Sequence, residues 1–192
     1  MSEKWHESEI GKNILQKKYF HEGEDFKAFT DRIASIFPED TGTKVATSII
    51  NADFFPAGRS LFAAGSKGKF KASMSNCYCL PSPADSIESI FDRAKEMARI
   101  YSFGGGCGTN ISNLRPNNAR VNNSALTSSG AVSFMELYNT VGKIIGASNK
   151  TNGSTTARRA ALLIGLECDH PDLEEVLEIK RNNDAIRSAN IS

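Results

Sequence analysis

Apolar residues recur at helical spacing in the first part of the chain. A first stripe, mostly at intervals of three or four residues, comprises Phe26, Phe29, Ile33, Ile36 and Phe37. Val45 and Ile49 continue the pattern after a break from Pro38 to Gly42. Because residues three and four apart share one face of a helix, residues 1–55 are predicted to form a helical packing layer.

The periodicity disappears between Phe54 and Ala84, where Gly, Pro, Ser and Lys are frequent. This composition predicts loops and short strands. A second stripe comprises Ile87, Ile90, Phe91, Ala94, Met97, Ala98 and Tyr101. It predicts a helix of about four turns, with Asp85 and Ser86 in cap positions at its start and glycines at its end.

The second half of the chain alternates between predicted strands and helices. GGGCGTNISNL predicts a glycine-rich turn that leads into a strand, and AALLIGL predicts a strand buried on both faces. Between them a helix begins near Ser129, and its stripe comprises Phe134, Leu137, Tyr138, Val141, Ile144 and Ile145. A further helix is opened by His170, Pro171 and Asp172. Pro171 suits its first position. The alternation indicates a parallel sheet with helices outside, and about three strand–helix units fit.

Composition and charge limit the possible functions. With 192 residues, 40% of them hydrophobic, the chain can form one sizeable domain or part of a larger one. Its 23 basic and 22 acidic residues leave a net charge of +1, which excludes a global attraction to nucleic acid or to anionic membranes. The sequence shows no apolar signal region and no membrane-length apolar segment, so we expect a cytoplasmic protein.

Four cysteines without a secretory signal argue against a disulfide framework and for buried, metal-binding or redox thiols. The Cys77-x-Cys79 spacing is one residue short of a zinc half-site and no second pair follows, so we expect no metal site. For Cys107 and Cys168 the simpler interpretation is a buried apolar side chain. Cys77, directly preceded by two polar residues, is the stronger candidate for a redox or substrate-facing role.

Two loops could bind an anion. The glycines of GGGCG at 104–108 can bring backbone amides close to a phosphate or a sugar, but a tight turn with positive φ explains them equally well. Lys150, Arg158 and Arg159 precede a predicted strand, where they could clamp a phosphate or simply be solvated loop charges. Asp85 poses the same choice between a ligand contact and a helix cap.

Seven segments of the chain occur in an order that is typical of one enzyme family. They are FPAGRSLFAAG, SNC, ADSIESIFD, GGGCGTNISNLRP, SSGAVSFMELYNTV, ARRAALLIGL and HPDLEEVLEIK. In this order and spacing, from about Trp5 to the last residue, the chain resembles the large, catalytic subunit of ribonucleotide reductases. These enzymes reduce ribonucleotides to the deoxyribonucleotides that DNA replication requires.

The resemblance implies an α/β fold that is incomplete in this chain. Residues 1–55 would be an N-terminal helical segment, and residues 56–192 would be the first part of the barrel domain. In this family the barrel has ten strands, arranged as two antiparallel half-barrels around a finger loop. This chain would supply the first strands of that barrel.

The resemblance also implies roles for individual residues. Cys77 corresponds to the first member of the cysteine pair that reduces the ribose. The residues that line the substrate phosphate and sugar would be Ser60, Ser75, Asn76, Gly105 and Gly106. Those that hold the base and ribose of a deoxynucleotide effector would be Asp85, Ser86 and Ile87. Arg115 would meet the phosphates of the effector. The second specificity loop would run from Gly146 to Arg159, and it contains Lys150, Arg158 and Arg159.

Cofactors and partners follow from the same resemblance. The thiyl radical that starts the reaction would come from adenosylcobalamin or from a separate metal-bearing radical subunit. Deoxynucleoside triphosphates and ATP would be effectors, thioredoxin or glutaredoxin the reductant, and the full subunit would form a homodimer. The radical cysteine, the acid/base carboxylate and the second redox cysteine would lie in the remaining C-terminal part, so we expect no activity from this chain alone.

Two other functions agree with parts of the sequence. One is a non-catalytic module that binds deoxynucleotides at the effector site. The other is a glycyl-radical enzyme related to pyruvate formate-lyase, which shares the barrel but is not expected to carry HPDLEEVLEIK after a double-arginine loop. A neighbouring gene for the remaining barrel favours the reductase, and its absence favours the binding module.

Overall fold

The computed structural model describes residues 4–66, 68, 72–122, 124–147, 160–182, 186 and 189–192. These residues form two compact units, and the change from one to the other along the chain falls between Asn76 and Cys77. The domain boundary after residue 55 that the sequence suggests lies earlier in the chain and stays a prediction. The first unit is helical, and the second is built around a sheet.

Helices make up the first unit. They are α1 (Glu9–Lys18), α2 (Phe26–Ala34), α3 (Glu39–Asn51) and α4 (Gly58–Ala63). Ser8 and Asp25 cap α1 and α2, since each side chain accepts a hydrogen bond from the amide three residues later. The buried core comprises Leu15, Phe29, Ile33, Ile49, Leu61 and Ala64. The helical packing layer predicted for this part of the chain is therefore confirmed for the residues from 4 to 55.

Two details of this unit differ from the predicted pattern. The break expected from Pro38 to Gly42 is shorter, because α3 begins at Glu39 and contains Gly42 as a buried residue. A Cβ atom on Gly42 would lie 2.6 Å from the carbonyl oxygen of Ala34, so glycine permits a close approach of α2 and α3. The stretch predicted as loops and strands contains α4, which is too short for an apolar stripe to reveal.

Arg32 of α2 forms a buried ion pair with Glu24 and also binds the end of α4. Arg32 and Glu24 each expose 8% of their side chains, and Arg32 Nε donates to Glu24 Oε1 over 2.6 Å. The Arg32 guanidinium also donates to the backbone carbonyl oxygens of Leu61, Phe62 and Ala64. A helix end leaves such carbonyl groups without partners in the helix, so Arg32 takes the place of a C-terminal cap.

A four-stranded parallel sheet forms the centre of the second unit. Its strands are, in spatial and chain order, β1 (Cys77–Leu80), β2 (Gly106–Asn110), β3 (Leu162–Gly165) and β4 (Ala189–Ile191). The helices between them are α5 (Ile87–Ser102), α6 (Gly130–Ala147) and α7 (Leu173–Asn182). Three β-α-β units are thus present among the described residues, which confirms the predicted architecture.

One face of this sheet is covered by helices. A row of register partners on that face comprises Tyr78, Cys107, Leu162 and Ala189. These residues share a hydrophobic core with α5, α6 and α7. The next row comprises Cys79, Gly108, Leu163 and Asn190, and it faces the other way because side chains alternate along a strand. The prediction that β3 is buried on both faces is wrong for the described residues, since Leu163 is 45% exposed.

The helix starts agree only in part with the predicted ones. Ser86 is the N-cap of α5, and its Oγ accepts a hydrogen bond from the Ser89 amide over 3.3 Å. The α7 helix begins at Leu173 and not at Pro171. The amide of Leu173 donates to the carbonyl oxygen of His170, and the resulting turn around Pro171 delays the helix.

We expect Glu24→Gln to destabilise the first unit and to reduce its sensitivity to acid. Burial by itself raises the pKa of Glu24, but hydrogen bonds from Arg32 and from the His21 amide outweigh burial and lower that pKa below its ordinary value. The carboxylate therefore stabilises the fold above its unfolded-state pKa, and this contribution is lost as the pH falls through the lower, folded-state pKa. At neutral pH the free energy of unfolding should fall by about 3 kcal/mol.

Trp5 provides the measurement for this prediction. It is the only tryptophan of the chain, and its indole Nε1 donates to the carbonyl oxygen of Ile49 in α3. Urea titrations at neutral and acidic pH would follow its fluorescence in the parent, in Glu24→Gln and in the exposed control Glu22→Gln. Equal unfolding free energies for the parent and Glu24→Gln at neutral pH would contradict the stabilising role of the pair.

Candidate functional site

The sheet face opposite α5, α6 and α7 presents two thiols. Cys77 and Cys79 are exposed free cysteines at alternate positions of β1. Their register partners on β2 are Gly106 and Gly108, so neither neighbouring residue places a side chain beside the sulfur atoms. A thiol that solvent reaches in this way is accessible to thiol–disulfide exchange.

The glycines at the start of β2 and directly before it have structural explanations. Gly104 has a φ of 76°, so the turn with positive φ applies to this residue. The amides of Gly104 and Gly105 already donate to the carbonyl oxygens of Tyr101 and Ile100 at the end of α5. Added Cβ atoms would lie 2.8 Å from the Tyr78 ring at Gly105 and 2.9 Å from Ala161 Cβ at Gly106. Close packing therefore requires both glycines, and their contact with substrate stays a prediction.

The other predicted substrate residues belong to the first unit. Ser60 is half-buried in α4, and Ser75 and Asn76 are exposed directly before Cys77.

Arg59, which the sequence pattern did not single out, binds the backbone just before Ser75. Arg59 is buried, and its Nε donates to the carbonyl oxygen of Ser73 over 3.2 Å. An arginine inside the apolar and small-residue motif FPAGRSLFAAG is the sequence signal for such an anchor.

The remaining cysteines differ from each other in burial. Cys107 is buried as predicted, and its thiol donates to the Tyr101 hydroxyl over 3.1 Å. Burial raises the pKa of the Cys107 thiol, which keeps it protonated. Cys168 is exposed, so its interpretation as a buried apolar residue is wrong. It lies in the turn after β3, where the chain has left the core.

Asp85 and Arg115 form an ion pair at the start of α5. Arg115 Nε donates to Asp85 Oδ2 over 2.6 Å, and the Arg115 amide donates to Oδ1 over 3.3 Å. The helix-cap interpretation of Asp85 is therefore wrong, since Ser86 supplies the cap and the Asp85 carboxylate binds Arg115. Ile87, the first residue of α5, is 57% exposed. The structure thus brings Arg115 to the helix start formed by Asp85, Ser86 and Ile87, the other predicted effector residues that it describes.

Lys150, Arg158 and Arg159 lie outside the described residues. The same holds for most of the second specificity loop, predicted from Gly146 to Arg159, of which the structure describes the first two residues as the end of α6. The proposed phosphate contacts of this loop stay predictions.

Two buried side chains next to the Arg115 segment were not predicted as site residues. His170 Nε2 lies 2.8 Å from the carbonyl oxygen of Leu114, and the Asp172 carboxylate accepts a hydrogen bond from the Asn117 amide. The sequence marks these residues only as the start of a helix. A histidine and an aspartate two positions apart, in the connection between a strand and a helix, were the available signal.

The part of the chain that the structure describes contains no group of three or more His, Cys, Asp or Glu side chains that could hold a metal ion. In the same part, none of the helices combines the length and the apolar character that crossing a membrane requires.

Comparison with known proteins identifies one family. Residues 75–192 match the family model described as the barrel domain of ribonucleotide reductase. The chain is 36% identical over 141 residues to a vitamin B12-dependent ribonucleoside-diphosphate reductase of Thermoplasma acidophilum, covering 73% of this chain and 17% of the relative. It is 32% identical over 130 residues to a ribonucleoside-diphosphate reductase large chain of Cryptosporidium parvum, covering 68% of this chain and 15% of the relative.

A solved structure has the same fold. The alpha subunit of a class Id ribonucleotide reductase of Actinobacillus ureae matches with a TM-score of 0.74 and 19% identity, over 99% of this chain and 34% of that subunit. The predicted fold class, a helical segment followed by the first strands of an α/β barrel, is consistent with this likeness. Because the barrel-domain model matches more than half of its residues, the chain belongs to the ribonucleotide reductase family, as part of the large subunit.

Proposed function

We propose that this chain supplies the first redox cysteine and the effector-binding elements of a ribonucleotide reductase catalytic subunit. The observation that carries the proposal is the position of Cys77, an exposed free thiol on the sheet face opposite α5, α6 and α7. In a barrel of parallel strands with outer helices, that face is the interior. A thiol on it would meet a sugar bound inside the barrel.

The proposed reaction uses two thiols as the source of electrons. Replacing the ribose 2′ hydroxyl by hydrogen is a two-electron reduction, in which the thiols supply two electrons and two protons. A disulfide forms between their sulfur atoms, and the hydroxyl leaves as water. Cys77 would supply one thiol, and the remaining part of the catalytic subunit would supply the other. Thioredoxin or glutaredoxin would then reduce the disulfide.

The substrate would be held around this thiol. Ser75 and Asn76 are exposed immediately before Cys77, so their side chains would offer hydrogen bonds to the phosphate or the sugar. Ser60 would contribute a further hydroxyl. Gly105 and Gly106 would act by leaving the room that side chains would fill.

A deoxynucleoside triphosphate or ATP would bind at the start of α5. The exposed Ile87 side chain offers an apolar surface to a base, and the Asp85 carboxylate can accept hydrogen bonds from a ribose hydroxyl. Arg115 would pair with phosphate, together with Lys150, Arg158 and Arg159. Since Asp85 and Arg115 bond to each other, the effector would have to share or replace that ion pair.

The radical source is proposed to be adenosylcobalamin or a separate metal-bearing subunit. The Thermoplasma relative is named as vitamin B12-dependent, which favours the first. Either group would generate the radical that activates the ribose. The described residues do not fit a metal centre, because no suitable set of ligands occurs among them, and we assign neither group to them. A homodimer of the complete subunit in the cytoplasm is the expected assembly and location.

We expect Cys77→Ser to abolish multiple-turnover reduction in a subunit reconstituted from this chain and the remaining catalytic part. Serine keeps the size of the side chain but cannot form a disulfide. Nucleotide affinity should stay close to that of the parent. The matched control is Cys79→Ser, which changes the same group on the same face of β1 and should keep full turnover.

Deoxynucleotide formation, followed over many cycles with excess reductant, provides the measurement. Equal turnover of Cys77→Ser and the parent would overturn the redox role of Cys77. A reconstituted parent that binds deoxynucleotides but forms no product would favour the non-catalytic binding module.

We expect Asp85→Asn to weaken effector binding with little change in the thermal midpoint. The substitution removes a charged acceptor, which should weaken binding roughly tenfold or more. The midpoint should stay close because Ser86, not Asp85, caps α5. Calorimetric titration of the reconstituted subunit with dTTP and dATP tests this, and Asp92→Asn, an exposed acidic residue farther along α5, is the control. Unchanged dissociation constants for both nucleotides would remove Asp85 from the effector site.

A further inference from the structure

The connection between β3 and α7 holds the segment that carries Arg115. His170 is buried, and its Nδ1 accepts a hydrogen bond from the Asp172 amide over 3.1 Å. Since Nδ1 is an acceptor, the ring proton is on Nε2, which donates to the carbonyl oxygen of Leu114 over 2.8 Å. His170 therefore fixes the backbone at the residue directly before Arg115.

Asp172 fixes the same segment on the other side of Arg115. It is 94% buried, with 6% of its surface exposed, and its Oδ1 accepts a hydrogen bond from the Asn117 amide over 3.0 Å. Its Oδ2 accepts one from the Ala131 amide over 2.9 Å, in the first turn of α6. An aspartate directly before a helix usually caps that helix, but this carboxylate joins two other elements.

Gly130 shows how closely the carboxylate fits the start of α6. Its φ is 81°, and an added Cβ atom would lie 2.8 Å from Asp172 Oδ2. Only glycine adopts this backbone conformation without strain and leaves room for the carboxylate. The sequence thus provides both the acceptor and the space for it.

The two ends held by Asp172 enclose a short antiparallel hairpin. Asn118 donates to Ser128, Ser128 donates to Ala119, and Arg120 bridges to Thr127. Arg115 Nη1 contacts this hairpin through the carbonyl oxygen of Arg120 over 3.4 Å. Fixing Asn117 and Ala131 therefore fixes the base of the hairpin and, with it, the surroundings of the Arg115 side chain.

We propose that His170 and Asp172 are positioning residues for the effector site, an inference that rests on the function proposed for Arg115 and Asp85. They touch no nucleotide themselves. They hold the backbone on both sides of Arg115, so that its guanidinium lies beside Asp85 at the start of α5.

The test compares substitutions that remove one hydrogen bond with substitutions that retain it. In Asp172→Asn one carboxylate oxygen becomes an NH2 group, which cannot accept from a backbone amide. His170→Asn keeps an acceptor near Nδ1 but cannot reach Leu114, whereas His170→Gln keeps a donor near Nε2. Asp169→Asn changes an exposed acidic residue of the same connection and serves as the control.

We expect Asp172→Asn and His170→Asn to bind dTTP and dATP roughly tenfold more weakly in the reconstituted subunit. Turnover at saturating effector should be retained, since the effector site still forms when it is occupied. His170→Gln and Asp169→Asn should bind like the parent. Hydrogen exchange in Asp172→Asn should become faster at whichever of the Asn117 and Ala131 amides faces the new NH2 group.

Three results would overturn the proposal. One is parent-like affinity in both Asp172→Asn and His170→Asn. Another is a loss of turnover at saturating effector in Asp172→Asn or His170→Asn that is as large as the loss of affinity, or a tenfold loss of affinity in His170→Gln. Either would indicate a general structural role. The third is the absence of dTTP and dATP binding by the parent itself, which would also overturn the proposed effector site, whereas the first two leave that site intact.

Discussion

The parallel pairing of consecutive strands determines where the rest of the second unit lies. Each parallel pair needs a crossover, and crossovers of the usual right hand, repeated in one direction along the sheet, place every helix on the same face. The apolar residues of α5, α6 and α7 therefore cover one side, and the alternation of side chains turns Cys77 and Cys79 to the other. The redox role proposed for Cys77 depends on this asymmetry, because a sheet covered on both faces would bury the thiols.

The sequence allowed the helices other than the short α4, and their order, to be predicted, but not what covers them. The stripes of α5 and α6 follow directly from helical periodicity, and the alternation of elements identified the parallel sheet. Leu163 shows the limit of such inference. An apolar run has the same pattern whether its second face meets protein or lies open, so β3 was predicted to be buried on both sides. Asp85 and Ser86 are both good capping residues, and only the distant partner Arg115 decides which one caps α5.

The contacts that were least predictable join a polar side chain to a backbone atom far away in the chain. Arg32 binds carbonyl groups at the end of α4, and Asp172 binds amides at both ends of a hairpin. Every residue carries the same carbonyl group and nearly every residue the same amide, so no residue type at the receiving position reveals the contact. Glycines that fit beside such groups, as Gly130 does beside Asp172, leave a trace in the sequence that is visible only afterwards.

The different burial of the four cysteines makes Cys107 a natural reporter. Cys77, Cys79 and Cys168 are exposed, so an alkylating reagent reaches them in the folded protein. Cys107 is enclosed in the core of the second unit, and its thiol is bonded to Tyr101. Its modification requires that this core opens. Mass spectrometry of alkylated protein can thus follow the opening of the second unit separately from the tryptophan signal of the first, without any introduced label.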